Sequence, residues 1–263
     1  MLSSPATLQL FLPRSIPSTA IGILAIPILS SASRRSLRPV LRGGPSIKFR
    51  WRRPRHTLNG RQSATEVERV GLRLQLRKQQ AEAGDIVLLY GDESEALTHP
   101  YLARAWAKAG ADLRVPAPGQ AKKVAMLGSF DHVTRQLILH TSPTKRSSDF
   151  VAHLEQIDRL YGPKPGQPIK PVLLVEDNGP IHTSKLSLAA LAARAHWLIV
   201  EWLPKYAPEL NDIERVWHDL KAHHLAHQTF ADPSALDSAI HQAVDALNTE
   251  RTTLPLAGLR ISA

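Results

Sequence analysis

Two short apolar runs, each leading directly to acidic residues, constrain the fold of this chain more than any other feature. Residues 86–90 lead to Asp92, and residues 172–175 lead to Glu176 and Asp177. Apolar runs of this length without polar interruption are typical of strands that are buried on both faces of a sheet. In an open α/β sheet, groups at the carboxyl ends of neighbouring strands meet in one crevice. The pattern therefore predicts a central sheet that brings two carboxylates together.

Hydrophobic periodicity around these runs predicts the remaining elements of an α/β domain. In chain order the elements read β-β-β-α-β-α-β-α. We predict strands over 86–90, 123–130, 136–141, 172–175 and 197–202, and helices over 147–161, 183–195 and 211–228. A polar linker helix before the first strand has Ser63 and Glu66 at capping-box spacing. A last helix has Asp232 as its predicted N-cap.

The formal net charge of +10 is concentrated at the N-terminus. Residues 1–65 contain 11 of the 33 Lys and Arg residues and no acid, which leaves 22 basic and 23 acidic residues for the rest. Basic arms bind polyanions, usually nucleic acid or anionic membrane, and a solvated tail is the alternative. Aromatic residues interleave the basic ones over 48–56, which suits phosphate contact with base stacking. We therefore predict DNA contacts from Lys48, Arg50, Arg52, Arg53 and Arg55.

Composition excludes several classes of site. The chain has no cysteine, so disulfides, Cys-based zinc sites, iron–sulfur clusters and thiol nucleophiles are excluded, and a reducing compartment fits. Pro or charge interrupts every long apolar stretch, so we expect no membrane-spanning helix. Residues 1–45 are atypical, because most positive charges follow the apolar stretch 16–29 instead of preceding it as in a secretory signal. We expect disorder, or a segment outside the evolved reading frame, in preference to a targeting peptide.

A third carboxylate, Glu214, falls in the first turn of the predicted helix 211–228 and could join Asp92 and Asp177. Three converging carboxylates repel one another unless a cation lies between them, and hard oxygen ligands favour Mg²⁺ or Mn²⁺. Two such ions, about 3.5–4 Å apart, can activate a water or a 3′-OH for phosphodiester chemistry. The alternative is that each acid at a strand end only makes a turn or a helix cap, and the residue pattern leaves both open.

Four segments carry a family resemblance: GDES at 91–94, RAWAKAG at 104–110, VEDNGPIH at 175–182 and LPKYAPELNDIERVWHDLK at 203–221. They resemble the catalytic domain of bacterial insertion-sequence transposases related to mariner elements, in the DDE superfamily of endonucleases. The 36 residues between Asp177 and Glu214 are similar to the spacing in this family. The resemblance implies a ribonuclease-H-like mixed sheet flanked by helices, two Mg²⁺ or Mn²⁺ ions, and cutting and joining of double-stranded DNA. It also implies action at nucleoid DNA in the bacterial cytoplasm, with a homodimer as the candidate assembly and no membrane partner.

The resemblance places the catalytic, metal-binding triad on Asp92, Asp177 and Glu214. Around it, Asn178 is predicted to orient Asp177 or a metal-bound water, or to make an Asx-turn. His182 is predicted to contact a DNA phosphate, to adjust the site or to be structural. Three residues before Glu214 lies Asn211, which we expect to cap the helix. We further expect Tyr206 to pack or to stack on DNA, Glu93 to point to the face opposite Asp92, and Trp106 and Trp217 to be core residues.

Such transposases carry helix-turn-helix modules before the catalytic domain, and residues 1–45 show no such pattern. We therefore expect an N-terminally truncated or frame-disrupted transposase, divided into an atypical or disordered segment (1–47), a basic remnant with a linker helix (48–85), a catalytic domain (86–230) and a C-terminal helix and tail (231–263). The alternative function is an inactive remnant that acts as a DNA-binding regulator. A two-carboxylate glycosidase would explain the acids but not the basic arm.

Overall fold

The computed structural model describes residues 61–104, 106–117 and 119–253, which all belong to one unit spanning Arg55–Ala263. The predicted basic arm, and with it Lys48, Arg50, Arg52, Arg53 and Arg55, lies outside the described residues. The prediction that these residues contact DNA therefore stays a prediction.

The core of the fold is a mixed five-stranded sheet. Its strands are β1 (Val87–Leu97), β2 (Lys123–Asp131), β3 (Leu137–Ser142), β4 (Val172–Glu176) and β5 (Leu198–Trp202), in the spatial order β3-β2-β1-β4-β5. The pairs β1–β2 and β2–β3 are antiparallel, whereas β1–β4 and β4–β5 are parallel. The predicted mixed sheet is confirmed.

Among the described residues, five α-helices cover the two faces of the sheet: α1 (Ala64–Glu82), α2 (Ser147–Tyr161), α3 (Lys185–Arg194), α4 (Ile213–Asp219) and α5 (Pro233–Thr253). One apolar core joins α1, α4 and α5 to one sheet face, and a second core joins α2 and α3 to the other. Strand residues alternate between these cores because successive side chains point to opposite faces.

The first strand shows why the apolar runs predict the sheet. In β1, Leu88 and Tyr90 enter the first core and Leu89 enters the second, and all three are fully buried. Two of the three predicted helix caps are also present. Ser63 Oγ accepts from the Glu66 amide at 3.4 Å, and Asp232 Oδ1 accepts from the Ala235 amide at 2.9 Å.

Three predictions about these elements were wrong. The first strand does not end at Tyr90 but continues to Leu97, because β2 pairs with it antiparallel as far as that residue. The predicted helix 211–228 ends as α4 at Asp219 and passes into a π-helical turn, Leu220–His224. The third error concerns Trp106, whose side chain is fully exposed in an irregular segment between β1 and β2 instead of lying in the core.

A membrane-spanning helix needs about 20 consecutive, predominantly apolar residues. None of the described helices is both long and apolar enough to cross a lipid bilayer.

Candidate active site

Asp92 lies inside β1, two residues beyond the point where the parallel pairing with β4 ends. That pairing runs from Val87 to Tyr90, while Asp92 itself pairs with Gly128 of β2. The indole Nε1 of Trp217 donates a hydrogen bond to Asp92 Oδ2 at 3.1 Å. The carboxylate is therefore on the sheet face that α4 covers, beside the gap that opens between β1 and β4.

The Asp92 carboxyl is electrostatically unfavourable as an anion. Burial, the negative charge of Glu214 and that of Glu93 raise its pKa to about 7, although the hydrogen bonds from the Glu93 amide and from Trp217 oppose this shift. Desolvation and like charges both disfavour the ionised form of a carboxyl. A bound cation would reverse this effect, because it stabilises the carboxylate.

Glu214 lies in the first turn of α4 with an exposed side chain. Its charge acts on Asp92, so the structure brings these two predicted ligands together. Asn211 sets the position of the helix. Its Nδ2 donates to the Gly91 carbonyl oxygen at 2.8 Å, and the residue is 7% exposed.

The prediction that Asn211 caps α4 was wrong. The residue directly before the helix is Asp212, whose side chain makes no capping bond. The Asn211 side chain instead crosses to β1, one residue before Asp92. It therefore fixes the distance between the Glu214 helix and the Asp92 strand through the backbone of β1.

We expect Asn211→Ala to destabilise the protein by about 1–3 kcal/mol, because a buried carbonyl loses a donor. Urea unfolding measures this loss. Asn211→Asp is the matched variant, since it keeps the shape but places an acceptor against an acceptor and adds negative charge, so it should be less stable than Asn211→Ala. An Asn211→Asp protein as stable as the wild type would contradict this account of the contact.

Asp177 directly follows β4, and its side chain is 56% exposed. Its Oδ1 accepts a hydrogen bond from the Gly179 amide at 2.7 Å, which is an Asx-turn. Asn178 does not contact Asp177 in this way but donates from Nδ2 to the Leu203 carbonyl oxygen at 2.7 Å. The Asx-turn after the strand thus belongs to Asp177, and Asn178 ties the turn to the end of β5.

We call Asp92, Asp177 and Glu214 the acidic edge. Burial raises the pKa of Glu176, the last residue of β4, and the negative charges of Asp92 and Asp177 add to this shift. Within the described ranges, however, no three His, Asp or Glu side chains surround one point closely enough to hold a metal ion. The oxygen donors and the raised pKa of Asp92 fit a hard divalent cation.

Sequence reasoning missed a cluster on the opposite face of the sheet, formed by Glu93, Glu176 and His182, which we call the buried cluster. His182 Nε2 lies 2.8 Å from Glu93 Oε1, 3.5 Å from Glu176 Oε2 and 3.6 Å from Asp177 Oδ1. The imidazole packs edge-on against Phe150, with ring centroids 4.5 Å apart. Side-chain alternation from Asp92 predicts the face of Glu93, but nothing in the sequence pairs it with His182.

The charges of the buried cluster depend on one another. Burial lowers the pKa of the His182 imidazole, but Glu176, Glu93 and Asp177 outweigh burial and raise it to about 9. For Glu176, burial raises the pKa to about 8, and His182 opposes this shift. A positively charged His182 thus compensates the negative charge of Glu93, which is largely buried, and of Glu176, which is fully buried.

Two further residues lie beside the acidic edge. Lys221 donates from Nζ to Ser94 Oγ at 2.8 Å, and its charge interacts with Glu214 and Asp92. Sequence reasoning assigned no role to Lys221. Tyr206, a predicted DNA contact, lies between β5 and α4 with φ 63° and is 43% exposed. Its backbone oxygen accepts a hydrogen bond from the Gln62 side chain, and this contact does not involve the Tyr206 ring.

The domain that carries the acidic edge matches a known protein family. The family model of DDE superfamily endonucleases matches residues 87–237, which include Asp92, Asp177 and Glu214. The chain belongs to this family. The predicted resemblance to DDE transposases of the mariner-related insertion-sequence group is confirmed.

Individual relatives of this DDE chain agree with that assignment. An uncharacterized 39 kDa protein of the insertion element IS630 from Shigella sonnei is 26% identical over 176 residues, which cover 67% of this chain and 49% of that protein. The chain thus spans about half the length of the curated relative it matches.

Solved structures show the same fold. A pre-cleavage Mos1 transpososome matches with a TM-score of 0.53 and 16% identity, over 83% of this chain and 68% of that one. The Mos1 mariner paired-end complex with Mn matches with a TM-score of 0.52 and 19% identity, over 78% and 64%. These likenesses confirm the predicted ribonuclease-H-like fold.

Proposed function

We propose that this chain is a transposase-type endonuclease and strand transferase that cuts and joins DNA phosphodiester bonds. The observation that carries the proposal is the acidic edge, where Asp92 and Glu214 interact and Asp177 follows the neighbouring strand. Membership of the DDE endonuclease family supports this assignment. The proposed partners are double-stranded element ends and target DNA at the nucleoid, with a homodimer as the proposed assembly.

In this mechanism, Asp92, Asp177 and Glu214 would hold two Mg²⁺ or Mn²⁺ ions. Such ions supply Lewis-acid activation of the attacking oxygen and stabilise the leaving oxygen. In the cutting step, water forms a bond to phosphorus as the bond to the 3′-oxygen breaks, and that oxygen takes up a proton. In the joining step, the freed 3′-OH attacks a phosphodiester of the target DNA and displaces another 3′-oxygen.

The protein's own residues orient these groups. The Trp217 indole N–H fixes one oxygen of Asp92, and Asn211 fixes the Glu214 helix against β1. Lys221 places an ammonium group beside the edge, where it can pair with a DNA phosphate. We further propose that Lys48, Arg50, Arg52, Arg53 and Arg55 bind the DNA backbone and that Tyr206 stacks on a base.

The direct test is nicking of supercoiled plasmid by the purified chain. We expect relaxed or linear product with Mg²⁺ or Mn²⁺ and none in the presence of EDTA. A protein that binds the plasmid and cuts with neither ion would instead support the alternative, a catalytically inactive transposase remnant that acts as a DNA-binding regulator.

Metal binding should depend on pH, because protons compete with the cation for Asp92. With a pKa of about 7, this carboxyl is mostly protonated at pH 6, which weakens metal affinity about tenfold relative to pH 8. Without metal, the folded state binds more protons than the unfolded state, so this group makes the protein less stable as pH rises from about 4 to 7.

Thermal unfolding with and without Mn²⁺ at pH 6 and pH 8 tests this dependence. We expect the Mn²⁺-induced rise in Tm to be larger at pH 8 than at pH 6. In the Asp92→Asn variant that difference should disappear. An equal rise at both pH values in the wild type would contradict a role for Asp92 as the titrating ligand.

A further inference from the structure

We propose that His182 is a positioning residue that ties β1 to the end of β4 behind the acidic edge. This inference rests on the proposed function, since it assigns His182 the task of keeping Asp92 and Asp177 at the separation that metal binding needs. His182 itself is buried, with its side chain 2% exposed.

The need for such a tie follows from the sheet. Backbone pairing between β1 and β4 stops at Tyr90 and Val175, so Asp92 and Asp177 both lie beyond the last paired residues. On the β5 side, the Leu203 amide donates to the Glu176 carbonyl oxygen at 2.8 Å. On the β1 side, side-chain contacts replace the backbone hydrogen bonds that are missing between β1 and β4.

His182 supplies that connection through one nitrogen. Its Nε2 lies 2.8 Å from Glu93 Oε1, on β1, and 3.5 Å from Glu176 Oε2, the last residue of β4. The same nitrogen lies 3.6 Å from Asp177 Oδ1. One imidazole therefore contacts the neighbours of both strand acids and one of the acids itself.

The backbone around His182 holds the ring in this place. The His182 amide donates to the Gly179 carbonyl oxygen at 3.1 Å, which closes the turn after Asp177. Gly91 leaves the space that the Glu176 carboxylate occupies, because a Cβ at that position would collide with it. The buried cluster is thus built into β1, β4 and the following turn together.

Removing the imidazole has two separable effects. Glu93 and Glu176 lose their shared cation, which destabilises the fold because both carboxylates are largely buried. They also lose the link between the strands, which loosens the acidic edge. A purely structural role involves only the first effect, whereas a positioning role involves both.

The experiment therefore uses variants that separate the loss of the positive charge from the loss of the link between β1 and β4. His182→Phe keeps the ring packed on Phe150 but removes the nitrogen, and adding Glu93→Gln removes one of the two confronted charges. His182→Gln keeps a donor near the Nε2 position. His196→Phe is the matched control, since His196 is exposed between α3 and β5.

Three readouts are compared for each protein: Tm, Mn²⁺ binding by calorimetry, and the Mn²⁺ dependence of plasmid nicking. For the His182→Phe/Glu93→Gln double variant, we expect Tm to recover relative to His182→Phe alone. Its Mn²⁺ affinity should still be about 10–100-fold weaker than in the wild type, the range for residues that orient metal ligands. His182→Gln should retain most of the affinity, and His196→Phe should match the wild type.

The outcomes distinguish this inference from the proposed function. A double variant that binds Mn²⁺ and nicks DNA like the wild type would overturn the positioning role alone. Weakened Mn²⁺ binding in a stable double variant supports it even where nicking is too slow to measure. A wild-type protein that neither binds Mn²⁺ nor nicks DNA would overturn the proposed function and this inference with it.

Discussion

Replacing Asp177 by alanine should lower the rate of metal-dependent plasmid nicking by at least about a thousandfold, or roughly 4 kcal/mol in the activation free energy. The carboxylate is 56% exposed and makes a hydrogen bond with the Gly179 amide, so its removal should affect stability only slightly. The measurement is the initial rate of nicking with Mn²⁺, together with Tm to show that the fold is intact.

Two variants sharpen this test. Asp177→Asn keeps an acceptor for the Gly179 amide but removes the negative charge, so it should be as inactive as the alanine variant and at least as stable. Asp237→Ala removes a half-exposed acid on α5 and should nick like the wild type. An Asp177→Asn protein with wild-type nicking would show that this carboxylate holds no metal.

Trp217→Ala should lower the free energy of unfolding by about 3–5 kcal/mol, the usual cost of deleting a large buried aromatic side chain. Trp217 is 3% exposed, as predicted for a core residue, and its ring lies over Gly128 of β2. Trp217→Phe should cost less, because it keeps most of the packing. It also removes the donor to Asp92, so the pKa of that carboxyl should rise further.

Urea unfolding of a mutant cycle checks this packing. A Cβ at Gly128 would lie 2.5 Å from Trp217 Cη2, so Gly128→Ala should destabilise the wild type strongly. In the Trp217→Ala background the added Cβ no longer collides with the ring, and Leu137 Cδ1 at 3.2 Å is its nearest remaining neighbour, so the two losses should not add. Additive losses would indicate that the ring does not pack against Gly128.

Local patterns in the sequence were sufficient to predict the five strands, whereas the mixed sheet flanked by helices was implied by the family resemblance. Residues 172–175 are apolar throughout because β4 is buried on both faces, and a run of this kind has few other solutions. The extent of β1 could not be read in this way. Residues beyond Tyr90 are mostly polar, and they stay in the sheet only because β2, more than twenty residues later, supplies backbone partners.

The acidic residues of the candidate site could be predicted from the sequence, but the residues that position them could not. Asp92, Asp177 and Glu214 follow from apolar runs and from the family resemblance, and their catalytic role stays a prediction. Asn211 has the position of a helix cap, yet its side chain bonds to Gly91, a contact between distant parts of the chain. The same holds for His182 and Glu93. Polar pairs of this kind leave no periodic signal.

The strand order determines when the acidic edge can form during folding. Strands β1, β2 and β3 are consecutive and antiparallel, whereas the β1–β4 pairing joins parts of the chain that are much farther apart in sequence, and such non-local pairing is slower to form. A folding intermediate with only the first three strands in place carries Asp92 without Asp177 beside it. Such an intermediate cannot assemble the acidic edge, so the proposed metal site forms only when β4 has joined the sheet.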